Sequence, residues 1–369
     1  MIQRTPVESI LQGKHDGQQV TVYGWIKSAR TGKNVAFASI SDGSCVNPLQ
    51  VVFDRSLFSD LAGLATGACI KVRGQVVESP GAEQASELRA EELEVVGPAP
   101  DDYPLQKKRH SLEFLRTIPH LRIRTNTFGA VFRASHHLSL AIHRFFDERG
   151  FYYIHAPLIT TSDAEGAGES FQVTSIPLDQ ITVQKGEVDY TKDYFKRKAY
   201  LTVSAQLEAE PMALAMGRVY TFGPTFRADP SDTRFHTAEF WMIEPEMAFF
   251  DLDDDISLIE EGVKYVAGYL REKCPEDIEF FSRFYDKELK KKYDMLINDD
   301  FARMTYTEAF ELLKKNADRF QVPPAWGSDV SAEYERFLTD EYFQSPVFVT
   351  DYPAVIKPFY MRLNDDEKT

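Results

Sequence analysis

Two runs rich in aromatic and β-branched residues, Val219-Tyr-Thr-Phe-Gly-Pro-Thr-Phe-Arg227 and Glu239-Phe240-Trp-Met-Ile-Glu244-Pro-Glu246, flank an Asp-Pro-Ser-Asp cluster at 229–232. Such runs read as strands and such a cluster as a turn, so the pattern predicts a β-hairpin. Side chains alternate across a strand, which puts Thr225 and Arg227 on one face of the first run. The same rule puts His236, Phe240 and Glu244 on one face of the second. One hairpin would then present a guanidinium, an imidazole, a ring and a carboxylate. Arginine suits bidentate phosphate binding, an exposed ring can stack on a purine, and a carboxylate can hold an ammonium. An ordinary salt-bridged surface hairpin uses the same residue types, and spacing alone does not separate the two.

The rest of the chain narrows the class. With 369 residues, 43% of them hydrophobic, it can bury a large core and is expected to hold two or three domains. No run of 18 apolar residues occurs, and Met-Ile-Gln-Arg-Thr-Pro at the start lacks an apolar signal core, so no membrane association is expected. Cys45, Cys69 and Cys274 lie far apart without CxxC spacing, which speaks against a disulfide framework or a zinc site and for a reducing, cytoplasmic setting. A net charge of −15 excludes a general nucleic-acid-coating protein. Residues 101–124 run the other way, with six basic side chains against three acidic ones and the cluster Lys107-Lys108-Arg109-His110. A solvated linker and an RNA-facing hinge both fit that segment.

Residues 18 to 98 read as five or so short strands, among them Gln19–Ile26, Val35–Ile40, Leu49–Phe53 and Ala68–Gly74. That density of strands and turns suits a small closed barrel, either an OB-fold or an SH3-like one. Barrels of this kind bind single-stranded nucleic acid by stacking bases on rings, which makes Phe37 and Gln50 candidates, although Phe37 reads equally well as a core residue. A Pro/Asp-rich linker at 99–112 marks a domain boundary. Beyond it a helix is expected from Thr125 or Asn126 to Arg149, with Val131, Leu138, Ile142 and Phe145 on its apolar face, and then a strand over Gly150–Pro157. His136, His137 and His143 on that helix lack partners at metal-ligand spacing. The segment Ser162–Ser170 has loop composition, and residues 200–210 read as a strand leading into a helix. An amphipathic helix is expected over 253–271 with Ile256, Ile259, Val263, Val266 and Leu270 on one face. Thr305-Tyr-Thr-Glu308 is a capping box, and Lys290-Lys-Lys292 reads as a solvated face.

The wording Phe226-Arg227-Ala-Asp229 … Glu239-Phe240 … Ile243-Glu244-Pro-Glu246 closely resembles motif 2 of the class II aminoacyl-tRNA synthetases, most closely their asparaginyl subgroup. The resemblance covers essentially the whole chain. It implies an α+β protein: an N-terminal OB-fold anticodon-binding domain (1–98), a hinge (99–124) and a class II antiparallel-sheet catalytic domain (125–369) with a helical insertion at about 251–320. Helix, strand and proline at 125–157 resemble motif 1, which implies a homodimer. The implied reaction attaches asparagine to tRNA(Asn) through an adenylate, with ATP and Mg2+. By the same resemblance Arg227 holds the α-phosphate, Phe240 stacks on adenine, and Asp229 and His236 assist at ATP. Glu165, Ser204, Gln206 and Glu244 hold the amino acid; Arg30, Phe37 and Gln50 serve the anticodon. Asp229 stands where the family writes glutamate, and Phe235 where an arginine usually precedes the histidine. The magnesium-binding acids and the motif 3 arginine are expected after residue 369. Two alternatives remain open: an aspartyl enzyme, whose pocket lysine is replaced here by Ala209, and a non-catalytic paralogue that binds RNA or regulates.

Overall fold

A computed structural model describes residues 4–81, 84–162, 168–184, 186–230 and 236–369. It divides into two compact units, residues 1–138 with 267–295 and residues 139–266 with 296–369.

The first unit is built on a barrel. A short helix α1 (Val7–Leu11) precedes five strands: β1 (Gln19–Thr31), β2 (Val35–Ser41), β3 (Leu49–Asp54), β4 (Cys69–Glu78) and β5 (Ser86–Gly97). They close in the order β1-β2-β3-β5-β4, the topology of an OB-fold. The fifth strand pairs parallel to β3 and antiparallel to β4 and so removes both sheet edges. Strict alternation fills the interior: Val20, Val22 and Ile26 from β1, Ala36, Ala38 and Ile40 from β2, Leu49, Val51 and Phe53 from β3. Gly74 is required at the β4–β5 crossing, because a Cβ there would lie 2.0 Å from the Arg89 carbonyl oxygen.

After the barrel come α2 (Leu112–Thr117), capped by Ser111, α3 (Pro119–Arg122) and the long α4 (Asn126–Asp147). The expected strand at 150–157 is only two residues long, β6 (Tyr152–Tyr153), and pairs parallel to a later strand. Short strands β7 (Ile159–Thr160) and β8 (Gln172–Val173) flank β11 (Ala199–Leu201), and β9 (Val183–Gln184) pairs with β10 (Glu187–Val188). Helix α5 (Gln206–Met216) then leads into the predicted hairpin, β12 (Arg218–Phe226) and β13 (Glu239–Met247). The remainder comprises α6 (Leu252–Lys273), α7 (Pro275–Phe284), α8 (Leu289–Asn298), β14 (Ala302–Thr305), α9 (Tyr306–Lys315), α10 (Ala332–Arg336) and β15 (Val347–Thr350), the last parallel to β14. The capping box at Thr305 and Glu308 forms as expected. Lys290 pairs with Glu279, and Lys292 with Asp286.

Two helix faces differ from expectation. On α4, Ile142 and Phe145 are buried with Phe146, Phe151, Tyr220 and Phe222, whereas Val131 and Leu138 are exposed. On α6, Ile259 and Val263 are exposed as well. Its packed stripe is Leu258, Tyr265 and Val266, with Gly262 between them, where a Cβ would lie 3.3 Å from the Phe145 ring. A glycine in the middle of the stripe hides it from a count of apolar residues, since its role is to let the helices approach.

Candidate active site

The hairpin registers Thr225 against Phe240 and Thr221 against Glu244. Thr221 and Thr225 are both buried on one face of β12, and the Thr225 hydroxyl donates to the Phe240 carbonyl at 3.4 Å. Arg227 follows directly. Its backbone N–H bonds the Ala238 carbonyl oxygen at 3.1 Å, and its guanidinium lies 5.5 Å from the centre of the Phe240 ring. The Arg227 Nε is buried and has no hydrogen-bond partner among the described residues. An unpaired guanidinium N–H away from water is costly, and an anionic oxygen is the natural group to satisfy it.

Asp229 is partly committed: its Oδ1 accepts from the Glu169 backbone N–H at 3.1 Å, while the Ala228 N–H donates to the Glu169 carbonyl at 2.7 Å. A Cβ on Gly168 would meet Asp229 Oδ2 at 2.9 Å and Arg227 Cδ at 3.0 Å, so the end of the 162–170 segment packs tightly on these two side chains. His236 is exposed and precedes β13, which begins at Glu239. It therefore does not share a strand face with Phe240 and Glu244 as the sequence predicted, because the chain leaves the ladder before reaching it. Glu165 and Phe235 lie outside the described residues.

Three groups converge on Glu244. The Ser204 hydroxyl donates to Oε2; the Ala205 backbone N–H reaches both oxygens, at 3.2 and 3.1 Å; the Thr221 hydroxyl donates to Oε1 at 3.3 Å. Ala205 is the N-cap of α5, so the carboxylate also faces the positive end of that helix. Ser204 in turn accepts from the Gln206 N–H at 3.1 Å, and the Gln206 amide donates to Glu210 at 2.9 Å. Glu244 is thus a fixed anion beside Ser204 and Gln206, which brings three predicted amino-acid-binding residues together. Thr221 and the Ala205 N–H went unnoticed in the sequence. Polar residues at i and i+4 of an otherwise apolar strand were the signal for Thr221; nothing in sequence marks a backbone donor. Two residues beyond Glu244, Glu246 has its pKa pushed up to about 7 by burial and by the carboxylates of Glu210, Glu244 and Asp255. Ala209, on α5, is fully buried with Ala213 and Val219.

The barrel residues form a second group. Phe37 and Gln50 alternate with interior residues and so stand on the outer surface of β2 and β3. A bulge at Lys27 shifts the β1 register, between Ile26 opposite Ile40 and Ser28 opposite Ser39. Before the bulge even-numbered side chains point inward; after it Ala29 does, and Arg30 emerges opposite Phe37 with its guanidinium 4.5 Å from the ring centre. Gln50 donates to Glu87 at 3.0 Å.

A barrel carrying an aromatic–arginine pair and a hairpin carrying an orphaned guanidinium and an anchored carboxylate match two family models. Residues 20–96 match the OB-fold nucleic acid binding domain, and residues 111–369 match the class II tRNA synthetases (D, K and N), the class to which this chain belongs. Within it the family is that of the asparagine–tRNA ligases. The enzyme of Desulfitobacterium hafniense is 53% identical over 95% of this chain and 77% of its own length, and that of a Synechocystis strain is 52% identical over the whole chain and 80% of its own. Among solved structures, asparaginyl-tRNA synthetase from Pyrococcus horikoshii complexed with asparaginyl-adenylate superposes with a TM-score of 0.81 at 28% identity, covering 99% of this chain and 78% of that one.

Proposed function

We propose that this chain joins asparagine to tRNA(Asn) at the expense of ATP, acting as a cytoplasmic homodimer. The observation that carries the reading is that Arg227, whose buried Nε has no partner among the described residues, stands on the same hairpin as an anchored Glu244. The substrate carboxylate attacks the α-phosphate, pyrophosphate leaves, and the terminal ribose hydroxyl of the tRNA then displaces AMP from the mixed anhydride. Arg227 holds the α-phosphate and stabilises the charge that develops there, and Phe240 stacks on adenine. Asp229 holds the Glu169 backbone N–H, and it and His236 stand on the ATP side. Glu165, Ser204, Gln206 and Glu244 orient the amino acid. No side chain forms a covalent intermediate; the protein positions and stabilises.

Asparagine is favoured over aspartate because Ala209 supplies no cation, and burying a second carboxylate near Glu244 would cost several kcal/mol. Mg2+ would neutralise charge on the leaving pyrophosphate; among the described residues no group of three or more His, Cys, Asp or Glu side chains converges to hold it. The homodimer would use segment 125–157, where Val131, Leu138, Tyr152 and Tyr153 are exposed. The anticodon would meet Arg30, Phe37 and Gln50. No described helix is long and apolar enough to cross a membrane. ATP–pyrophosphate exchange dependent on asparagine, run beside aspartate and followed by transfer to tRNA(Asn), tests the reading. Faster exchange with aspartate, or none with either amino acid, refutes it.

A further inference from the structure

β12 ends at Phe226, yet the residues that follow stay bonded. The Phe226 N–H donates to the Thr202 carbonyl oxygen at 2.8 Å, the Arg227 N–H to that of Ala238 at 3.1 Å and the Ala228 N–H to that of Glu169 at 2.7 Å. Successive residues of an extended chain face opposite ways, so residues 226 and 228 are gripped from one side and Arg227 from the other. The first side is one small sheet: Thr202 directly follows β11, and β8, which pairs with β11, begins three residues after Glu169.

Glu169 uses both of its backbone groups here. Its carbonyl accepts from Ala228, and its N–H donates to Asp229 Oδ1 at 3.1 Å. Gly168 completes the bridge. Its φ of +154° is one that residues with a side chain rarely adopt, and a Cβ there would meet Asp229 Oδ2 at 2.9 Å and Arg227 Cδ and Cγ at 3.0 and 3.2 Å. The stem of Arg227 is therefore laid against a bare Cα. At the end of that stem the buried Nε has no partner among the described residues, and the guanidinium lies 5.5 Å from the centre of the Phe240 ring. A free arginine loses much rotamer freedom on capturing an anion, and fixing the stem beforehand removes that cost from the binding step. An irregular strand end accounts for the backbone bonds. It does not account for a carboxylate and a glycine in a conformation suited to glycine closing on one arginine.

We propose that Gly168, the Glu169 backbone and Asp229 form a positioning clamp for Arg227, in which the Asp229 carboxylate serves as a hydrogen-bond acceptor for the chain and not as a charge on the nucleotide. The inference rests on the tRNA-ligase reading, in which Arg227 holds the α-phosphate, and assigns what fixes that arginine before the nucleotide arrives.

ATP binding to the full chain by calorimetry, beside asparagine-dependent pyrophosphate exchange, tests it. Asp229→Ala and Gly168→Ala should each weaken ATP binding and lower kcat/KM for ATP by about 10- to 100-fold, since a misplaced catalytic group costs that order. Asp229→Asn keeps an oxygen to accept the Glu169 N–H and should recover most of the loss. In an Arg227→Ala background, Asp229→Ala should cost nothing further, because a residue acting through Arg227 then has nothing to position. Asp229 is exposed, so this cycle stands even where Gly168→Ala fails to fold. Losses that add in the double variant, or an Asp229→Asn protein as impaired as Asp229→Ala, would overturn the proposal; the second result would put the carboxylate's charge on the substrate. A wild-type chain without asparagine-dependent exchange would instead defeat the tRNA-ligase reading, and the ATP-binding cycle reports on the clamp separately.

Discussion

Phe37→Ala separates recognition from stability. The Phe37 ring stands outside the barrel, between Ala36 and Ala38, which fill the interior, and it shares its exposed side with Arg30 at 4.5 Å. Removing it opens no interior cavity, so the stability cost should stay below about 1 kcal/mol. If an anticodon base stacks there, the lost contact is worth about 1–3 kcal/mol, or roughly a 5- to 150-fold rise in Kd. Phe53→Ala is the contrasting control. Its ring is fully buried and meets Phe58 edge-on at 5.4 Å, so truncation should cost about 3–5 kcal/mol of stability. The assay is fluorescence anisotropy with an Asn anticodon stem-loop and with one whose central uridine is changed, paired with urea unfolding of each variant. Phe37→Ala should bind the two RNAs equally poorly and unfold like wild type. A Phe37→Ala protein that keeps full affinity for the uridine-containing loop, or that loses stability on the scale of Phe53→Ala, would refute the reasoning.

Three further outcomes are expected. Asp277→Ala should destabilise the first unit by about 3–5 kcal/mol in urea unfolding, because it strands Arg133, which now gives Asp277 bonds at 2.6, 3.0 and 3.2 Å; Arg133→Leu/Asp277→Leu should recover most of that. Glu244→Gln should raise the asparagine KM in pyrophosphate exchange by about ten-fold or more while leaving the ATP KM near wild type, since it weakens charge-assisted bonds to Ser204, Ala205 and Thr221. Glu246 has a folded pKa raised to about 7 from 4.5, so the folded state binds the extra proton and stability falls as pH rises through that window. Glu246→Gln should therefore melt like wild type near pH 4.5 and become the more stable of the two by pH 8, by on the order of 1 kcal/mol after solvent screening.

What neighbours in the chain encode could be read from the chain. Alternation in 19–26, 35–40 and 49–53 gave the barrel, the aromatic runs around Pro230 gave the hairpin, and Thr305 with Glu308 gave a helix start that forms as written. The motif 2 wording singles out Arg227, Phe240 and Glu244, and the structure sets Arg227 near the Phe240 ring and anchors Glu244 at the start of α5. What depends on partners distant in sequence could not be read. Arg30 would point into the barrel by simple alternation; the bulge at Lys27 turns it outward, and that bulge exists only in the pairing with β2. His236 falls outside β13 because the ladder starts at Glu239. Gly262 looks like a gap in a helical stripe until Phe145 is seen against it. Glu244 owes its fixed position to a hydroxyl 40 residues away, a backbone N–H at a helix start and a threonine on the neighbouring strand. Periodicity is set within a few residues of chain, whereas register, close approach and the convergence of donors on one carboxylate are set by packing between segments, and only the tertiary structure decides them.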